Sequence, residues 1–517
     1  MKKAWFALFL AALTTAAAAP PERVDLIIRG GTVYTGESAP FVGDVAVKGD
    51  RIHAVGRRLT QRAARVIDAR GMIVAPGFID PHTHAGEQLA SPDAQARLVP
   101  AFLMQGVTTA FIGNDGGGDL DVAAVLGAAR QRPVGINYAA FVGFGAVRQA
   151  VIGQADRAPS PAELDRMRQM VARAMCDGAL GLSTGLFYAP QSFARTEEVV
   201  ALAREAGRRG GLYDSHIRDE SSYSIGLAAA IDEAIEIGRS AAIPVNISHI
   251  KALGVDVHGH APAIVARIEA ARAAGQRVTA DQYPWSASGT SLVAALVPRW
   301  AQDGGRSALL RRLNDPAALA RLRPEMAENL RRRGGAASLL ITEGLNRGRT
   351  LAEVAGSTDP IVAAIDEIRV VDAAVASFNQ NEDDIRYFMR RPWVMTGSDA
   401  STGHPRVSGS FARKYSEYVV RQGVLSLRDF IERSTSLTAD TFGIVDRGRL
   451  RAGAFADVVV FDPRRYAARA TYEQPTLLAA GVRTVLVNGA VAVDRGVLTG
   501  AAAGRGLPHR PTPGTCP

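Results

Sequence analysis

The chain has 517 residues, 47% hydrophobic and 21% charged. This is ordinary globular composition, with material for one large domain and something smaller, or for two to three average domains. The net charge of +9 is carried almost wholly by Arg scattered beside Asp and Glu, as in Glu197-Glu198 followed by Arg204, which excludes a nucleic-acid-binding stripe.

At the N-terminus, Lys2 and Lys3 precede an apolar run over residues 4–13, then Thr14-Thr15 and alanines up to Ala19. That order predicts a signal peptide over residues 1–19, with a buried N-terminal helix as the alternative. The run falls short of the ~20 residues that cross a bilayer, and no Cys stands near the cleavage region for a lipid anchor. The expectation is an exported, periplasmic protein with no membrane span in the mature chain. Cys176 and Cys516 are the only cysteines. They lie too far apart in sequence to read as a disulfide framework, and two cannot make a thiolate-rich metal site.

Residues 24–35, 43–56 and 65–74 alternate apolar side chains with Gly/Asp turns, and residues 456–461 and 482–493 repeat the pattern near the other end. These are strands. They predict a small β-domain, a sandwich, built from both termini (22–75 and 446–500). Between them, over 76–445, short apolar runs alternate with amphipathic stretches such as 161–176, 197–209 and 224–241. The runs at 106–112, 134–142, 179–184, 211–215, 245–248, 278–280, 373–378 and 393–397 fit a (β/α)8 TIM-like barrel of α/β class. The Arg-rich stretch 299–349 reads as an insertion between late strands, and 501–517 as a tail.

Chemistry concentrates where these runs end. PGFIDPHTH puts His82 and His84 on one side of a first strand, because alternate residues of a strand share a face. SHIRDES carries His216 at the end of a fifth strand, NISHIK carries His249 after a sixth, and TGSD carries Asp399 after an eighth. The C-terminal ends of barrel strands face one common site. Four imidazoles and a carboxylate there form a set able to bind one or two divalent metal ions.

This ordered pattern resembles the amidohydrolase superfamily, and within it the N-acyl-D-amino-acid deacylases (D-aminoacylases). PGFIDPHTH, GVTTAFIGND, GLSTGLFYAP, SHIRDES, PVNISHIK, DQYPW and GSDASTGHPRVSGSFAR carry the likeness, which spans residues 24–493. It implies that His216 and His249 hold a tightly bound zinc and that His82 and His84 face a second position. Asp399 would be the acid/base, and Lys251, Tyr283 and Arg406 would meet the carboxylate of a small N-acyl amino acid. The implied reaction is hydrolysis of the amide to a carboxylate and a free D-amino acid. Three positions depart from relatives. Asp115 stands where a Gly-Asn-Cys-Gly pattern has Cys, and is either a harder metal ligand or a turn cap. Phe144 stands where Gly-His-Gly is frequent, removing a polar group near the pocket. Gly289 precedes Thr290 where a Ser-Thr pair is common.

Other readings remain open at this level. The amide could be an unusual dipeptide or a cyclic amide, although the run 179–190 lacks the Lys that cyclic-amide members use. Gly181-Leu182-Ser183-Thr184-Gly185 matches a serine-hydrolase elbow, but Pro190 follows too soon for the required helix. His258-Gly259-His260 reads as a rim loop. Stereochemistry, acyl preference and oligomeric state are not legible.

Overall fold

The computed structural model describes residues 22–516; the segment read as a signal peptide lies outside them. Strands from the two ends of the chain form one nine-stranded sheet. Arg23–Val33 is its hub. It pairs antiparallel with Phe41–Lys48 on one side, and parallel with Arg62–Asp68 and then Ile73–Pro76 on the other. The register slips between Ile28 and Gly31, and such a bulge lets a strand change direction. Ile73–Pro76 pairs with Val458–Phe461, which joins the two ends of the chain. Leu26, Ile28, Val45, Val47, Val458 and Val460 pack a separate core for this unit.

The middle of the chain is an eight-stranded parallel barrel. Its strands are Phe78–Asp80, Val107–Ile112, a third strand in two pieces (Asn137–Ala140 and Val142–Gly143), Gly181–Gly185, Leu212–His216, Val245–Ile247, Val278–Gln282 and Val394–Thr396. A parallel bridge between Thr83 and Ala400 closes the ring. Helices cover it by burying one face each. Pro161–Cys176 buries Met167, Val171, Ala174 and Met175, the i, i+4, i+7, i+8 stripe of an amphipathic helix. It starts at a Ser160–Glu163 capping box with Pro at its first position, which satisfies otherwise orphaned N–H groups.

Residues 373–378, expected in the barrel, lie outside it. Ala374–Phe378 is the central strand of an antiparallel sheet, between Ala287–Ser291 and Leu339–Ile341. The insertion therefore begins before residue 299 and ends after 349. Its helices Gly305–Arg312, Pro316–Arg332 and Pro360–Val370 pack a second core around Leu296, Leu309, Leu322, Met326 and Ile365. An apolar strand looks the same in sequence whether its neighbours run parallel or antiparallel.

The cysteines also depart from expectation. Cys176 and Cys516 form a disulfide across 340 residues of sequence, with Cα atoms 5.7 Å apart. The tail is not free: Gly504, Leu507, His509 and Thr512 donate backbone hydrogen bonds to Val134, Tyr138, Gly178 and Arg209. Those bonds lead it along the barrel to the end of the Pro161–Cys176 helix. Sequence distance did not measure spatial distance. Among the described residues no helix is long and apolar enough to cross a membrane.

Candidate metal centre

At the C-terminal ends of the strands, two groups of ligand-type atoms come together: His82, His84, Asp115 and Asp399, and Asp115, His216 and His249. Asp115 belongs to both. Its Oδ1 lies 3.4 Å from His82 Nε2, 3.7 Å from His216 Nδ1 and 3.5 Å from His249 Nε2, and its Oδ2 lies 3.4 Å from His84 Nε2. Asp399 Oδ1 is 3.3 Å from His84 Nε2 and 3.7 Å from His82 Nε2. These separations are long for hydrogen bonds. Two donors each 2.0–2.2 Å from a tetrahedral ion stand about 3.4 Å apart, so the spacing suits shared cations. The buried His82 and His216 ring nitrogens and Asp115 Oδ1 have no hydrogen-bond partner. Buried polar atoms are otherwise satisfied in folded proteins, so the donor set fits one or two divalent ions, which Asp115 and the imidazoles would hold.

The backbone is strained to aim these groups. Asp115, His249 and Asp399 all have left-handed φ, at 56°, 37° and 50°, which costs about 1–3 kcal/mol each and recurs at functional sites. Each is held in place. Gln191 donates to the Asp115 carbonyl at 2.9 Å and accepts from Gly185 N at 2.7 Å. Asp281 accepts from His249 N at 3.0 Å, and Asp399 N donates to the His82 carbonyl at 2.9 Å. Gly143 lets the loop approach: a Cβ there would sit 2.4 Å from the Gly116 carbonyl.

Ser183 takes part in the same support. Its hydroxyl donates to the Gly113 carbonyl and accepts from Gly116 N at 3.1 Å. No helix follows it; a 3-10 turn, Gln191–Phe193, comes next. The elbow reading is therefore overturned: Ser183 braces the Asp115 loop and is not an exposed nucleophile. His258 bonds the Asn379 carbonyl at 3.1 Å, and neither it nor His260 lines the cavity.

Residues 73–492 match the amidohydrolase family. The D-aminoacylase of Alcaligenes xylosoxydans xylosoxydans is 34% identical over 511 residues, 93% of this chain and 97% of its own. The N-acyl-D-glutamate deacylase of the same organism is 35% identical over 90% and 93%. The crystal structure of N-acyl-D-glutamate deacylase from Bordetella bronchiseptica, complexed with zinc and a phosphonate mimic of the tetrahedral intermediate, superposes with a TM-score of 0.82. It is 32% identical, over 94% of this chain and 100% of that one. The chain belongs to the amidohydrolase family, in its N-acyl-D-amino-acid deacylase branch.

The centre of this deacylase-branch chain opens into a cavity of about 650 Å³, within the range of small-ligand sites. Lys251, Tyr283 and Arg406 line it. Arg406 Nη1 lies 2.7 Å from Asp399 Oδ2, and Nη2 donates to Ser401 Oγ at 2.7 Å. Gly289 faces the same guanidinium: a Cβ there would sit 2.9 Å from Arg406 Nη2. Tyr283 accepts from Gln380 at 2.9 Å. Phe144 is packed in the barrel core and does not line the cavity, so it does not alter the pocket wall directly.

Sequence reasoning missed Glu220. Its Oε1 lies 2.6 Å from Lys251 Nζ and 3.2 Å from His249 Nδ1. A carboxylate on one imidazole nitrogen leaves the other free for a metal. The signal was an acid four residues after His216, indistinguishable in sequence from a charged loop. Tyr188, whose ring is 4.7 Å from that of His216, was also missed.

The charges follow from this packing. Burial pushes Asp399 up, but Arg406 and the imidazoles outweigh it and hold the carboxyl well below its usual range. Burial pushes His216 down to about 3, against the opposing pull of Glu220. His84 is pushed down by burial, yet Asp115 and Asp399 outweigh this and bring it up to about 9. Beneath the centre, burial raises Asp80 to about 7 and Asp214 to about 6.

Proposed function

We propose that the protein is a zinc-dependent deacylase that hydrolyses the amide of N-acyl-D-amino acids to a carboxylate and a free D-amino acid. The observation that carries this is the Asp115 carboxylate standing between four imidazoles at ion-sharing distances. His216 and His249 would hold one ion with Asp115, and His82 and His84 a second with Asp115 and Asp399. Zinc bound there supplies a water ionised near pH 7 and polarises a carbonyl oxygen.

The chain's own groups do the rest. Asp399, kept ionised by Arg406, accepts the water's proton and delivers it to the leaving nitrogen. Lys251, Tyr283 and Arg406 orient the substrate's α-carboxylate, turning binding into positioning. Glu220 fixes Lys251 and His249. Export to the periplasm accords with the N-terminal pattern of Lys2-Lys3 and an apolar run, and with a disulfide, which persists in oxidising compartments.

The test is metal removal. Chelation should abolish hydrolysis of N-acetyl-D-leucine and added zinc should restore it, while a serine-directed reagent leaves it intact. Activity that survives chelation defeats the proposal.

A further inference from the structure

Two of the groups that would meet the substrate's α-carboxylate come from different stretches of chain. Tyr283 follows the strand Val278–Gln282, and Arg406 opens the helix Arg406–Arg413. Three hydrogen bonds tie these stretches together. Trp285 Nε1 donates to Ser410 Oγ at 3.1 Å, Arg413 Nε donates to the Pro284 carbonyl at 2.8 Å, and His404 Nε2 donates to the Ala287 carbonyl at 3.2 Å. Of the side chains making these links, only His404 lines the cavity.

His404 also holds Arg406 directly. Its Nδ1 accepts from Arg406 N at 3.1 Å. That N–H opens a helix, where the first N–H groups have no intrahelical partner, and Pro405 ahead of it supplies no side-chain cap. The two contacts fix the ring's protonation. A backbone N–H only donates and a carbonyl only accepts, so Nδ1 is bare and Nε2 carries the proton. A doubly protonated ring would break the Arg406 contact. Burial, followed by repulsion from Arg406, holds the imidazole well below its usual range. The side chain is also caged: His404 is 2% exposed and stands edge-on to Trp285 and Tyr472, with ring centres 6.0 and 5.1 Å away.

The far end of Arg406 is less fully used. Its Nη2 donates to Ser401 Oγ. Nη1 lies 2.7 Å from Asp399 Oδ2 without the geometry of a hydrogen bond, and Nε has no partner. A ligand carboxylate needs donors left open in this way. Where they point depends on the backbone that His404 pins, and a hydrogen bond weakens steeply when its donor is misaimed.

We propose that His404 is a positioning residue for the α-carboxylate site: its imidazole, anchored on the Ala287 carbonyl, sets the aim of Arg406. The inference rests on the deacylase reading.

Titration calorimetry on the zinc-loaded protein gives dissociation constants for D-leucine, which carries the α-carboxylate, and for acetohydroxamate, a metal-directed ligand without one. Three variants divide the contacts of His404. His404→Phe removes both. His404→Gln has the length to reach Ala287 but not the short turn onto Arg406 N. His404→Asn keeps that turn, because an Asn ahead of Pro accepts from the N–H two residues on. The Phe and Gln variants should weaken D-leucine about tenfold more than acetohydroxamate, the weight of one charge-assisted contact. The Asn variant should stay within about threefold of wild type for both ligands. A merely structural role would weaken the two ligands alike. The proposal is overturned if Phe and Gln do so, or if Asn weakens D-leucine as much as they do. Should His404→Phe fail to fold, Gln against Asn makes the same comparison. Wild-type turnover of N-acetyl-D-leucine is read separately. Its absence, with D-leucine still bound, overturns the deacylase reading and leaves the hold of His404 on a carboxylate site standing.

Discussion

Replacing Asp115 with Asn removes one negative charge from the centre and changes little else. Asn is among the few side chains that tolerate a left-handed backbone, so the φ of 56° is kept. What is lost is the anion within 3.4–3.7 Å of four imidazole nitrogens. Deleting only an outer partner of a metal ligand costs about 10–100-fold in affinity. Losing a carboxylate common to both groups should exceed about 100-fold, or about 2.8 kcal/mol per ion. Elemental analysis after dialysis against a zinc-buffered chelator reads this directly. Asp115→Cys, restoring the residue type frequent in relatives, should hold zinc at least as tightly as wild type, because thiolate is the softer ligand. Wild-type zinc content and affinity in Asp115→Asn would refute the ligand assignment and return Asp115 to the role of a turn cap.

Asp399→Asn should keep bound zinc yet lose about 10²–10⁴ in kcat, the usual share of general acid–base catalysis; near-wild-type hydrolysis refutes the role. Ser183→Ala should weaken zinc binding, since both of its hydrogen bonds hold the Asp115 loop; unchanged zinc affinity would show that the loop needs no such brace. Cys516→Ser should lower the unfolding free energy by about 2–4 kcal/mol, because the bond closes a loop spanning 340 residues of sequence. Denaturant unfolding checks this, and wild-type stability in the variant argues against a structural bond.

The metal-site residues were legible because each sits beside a strand whose apolar run is local. His216 ends its strand, and His82, His249 and Asp399 follow theirs within three residues. The parallel barrel then brings distant segments together. Asp115 was legible only as a choice between ligand and cap, and its position between the two groups decides the geometry. Glu220 was not legible, because its meeting with Lys251 and His249 depends on how two loops fold toward each other. The insertion's start at Ala287–Ser291 was hidden, since an antiparallel strand uses the same residues as a barrel strand. The disulfide was hidden because the tail's route to the Pro161–Cys176 helix is set by backbone hydrogen bonds with no sequence signature. The orientation of Ser183 was beyond any motif: the same five letters describe an exposed nucleophile and a buried brace.

The most direct test of the central claim is kcat/KM of the zinc-loaded protein on matched N-acetyl-D- and N-acetyl-L-amino acids, with leucine and glutamate as side chains. The D-form of at least one pair should be hydrolysed faster by about a hundredfold or more. Equal turnover of both enantiomers, or preference for the L-form, would contradict the account.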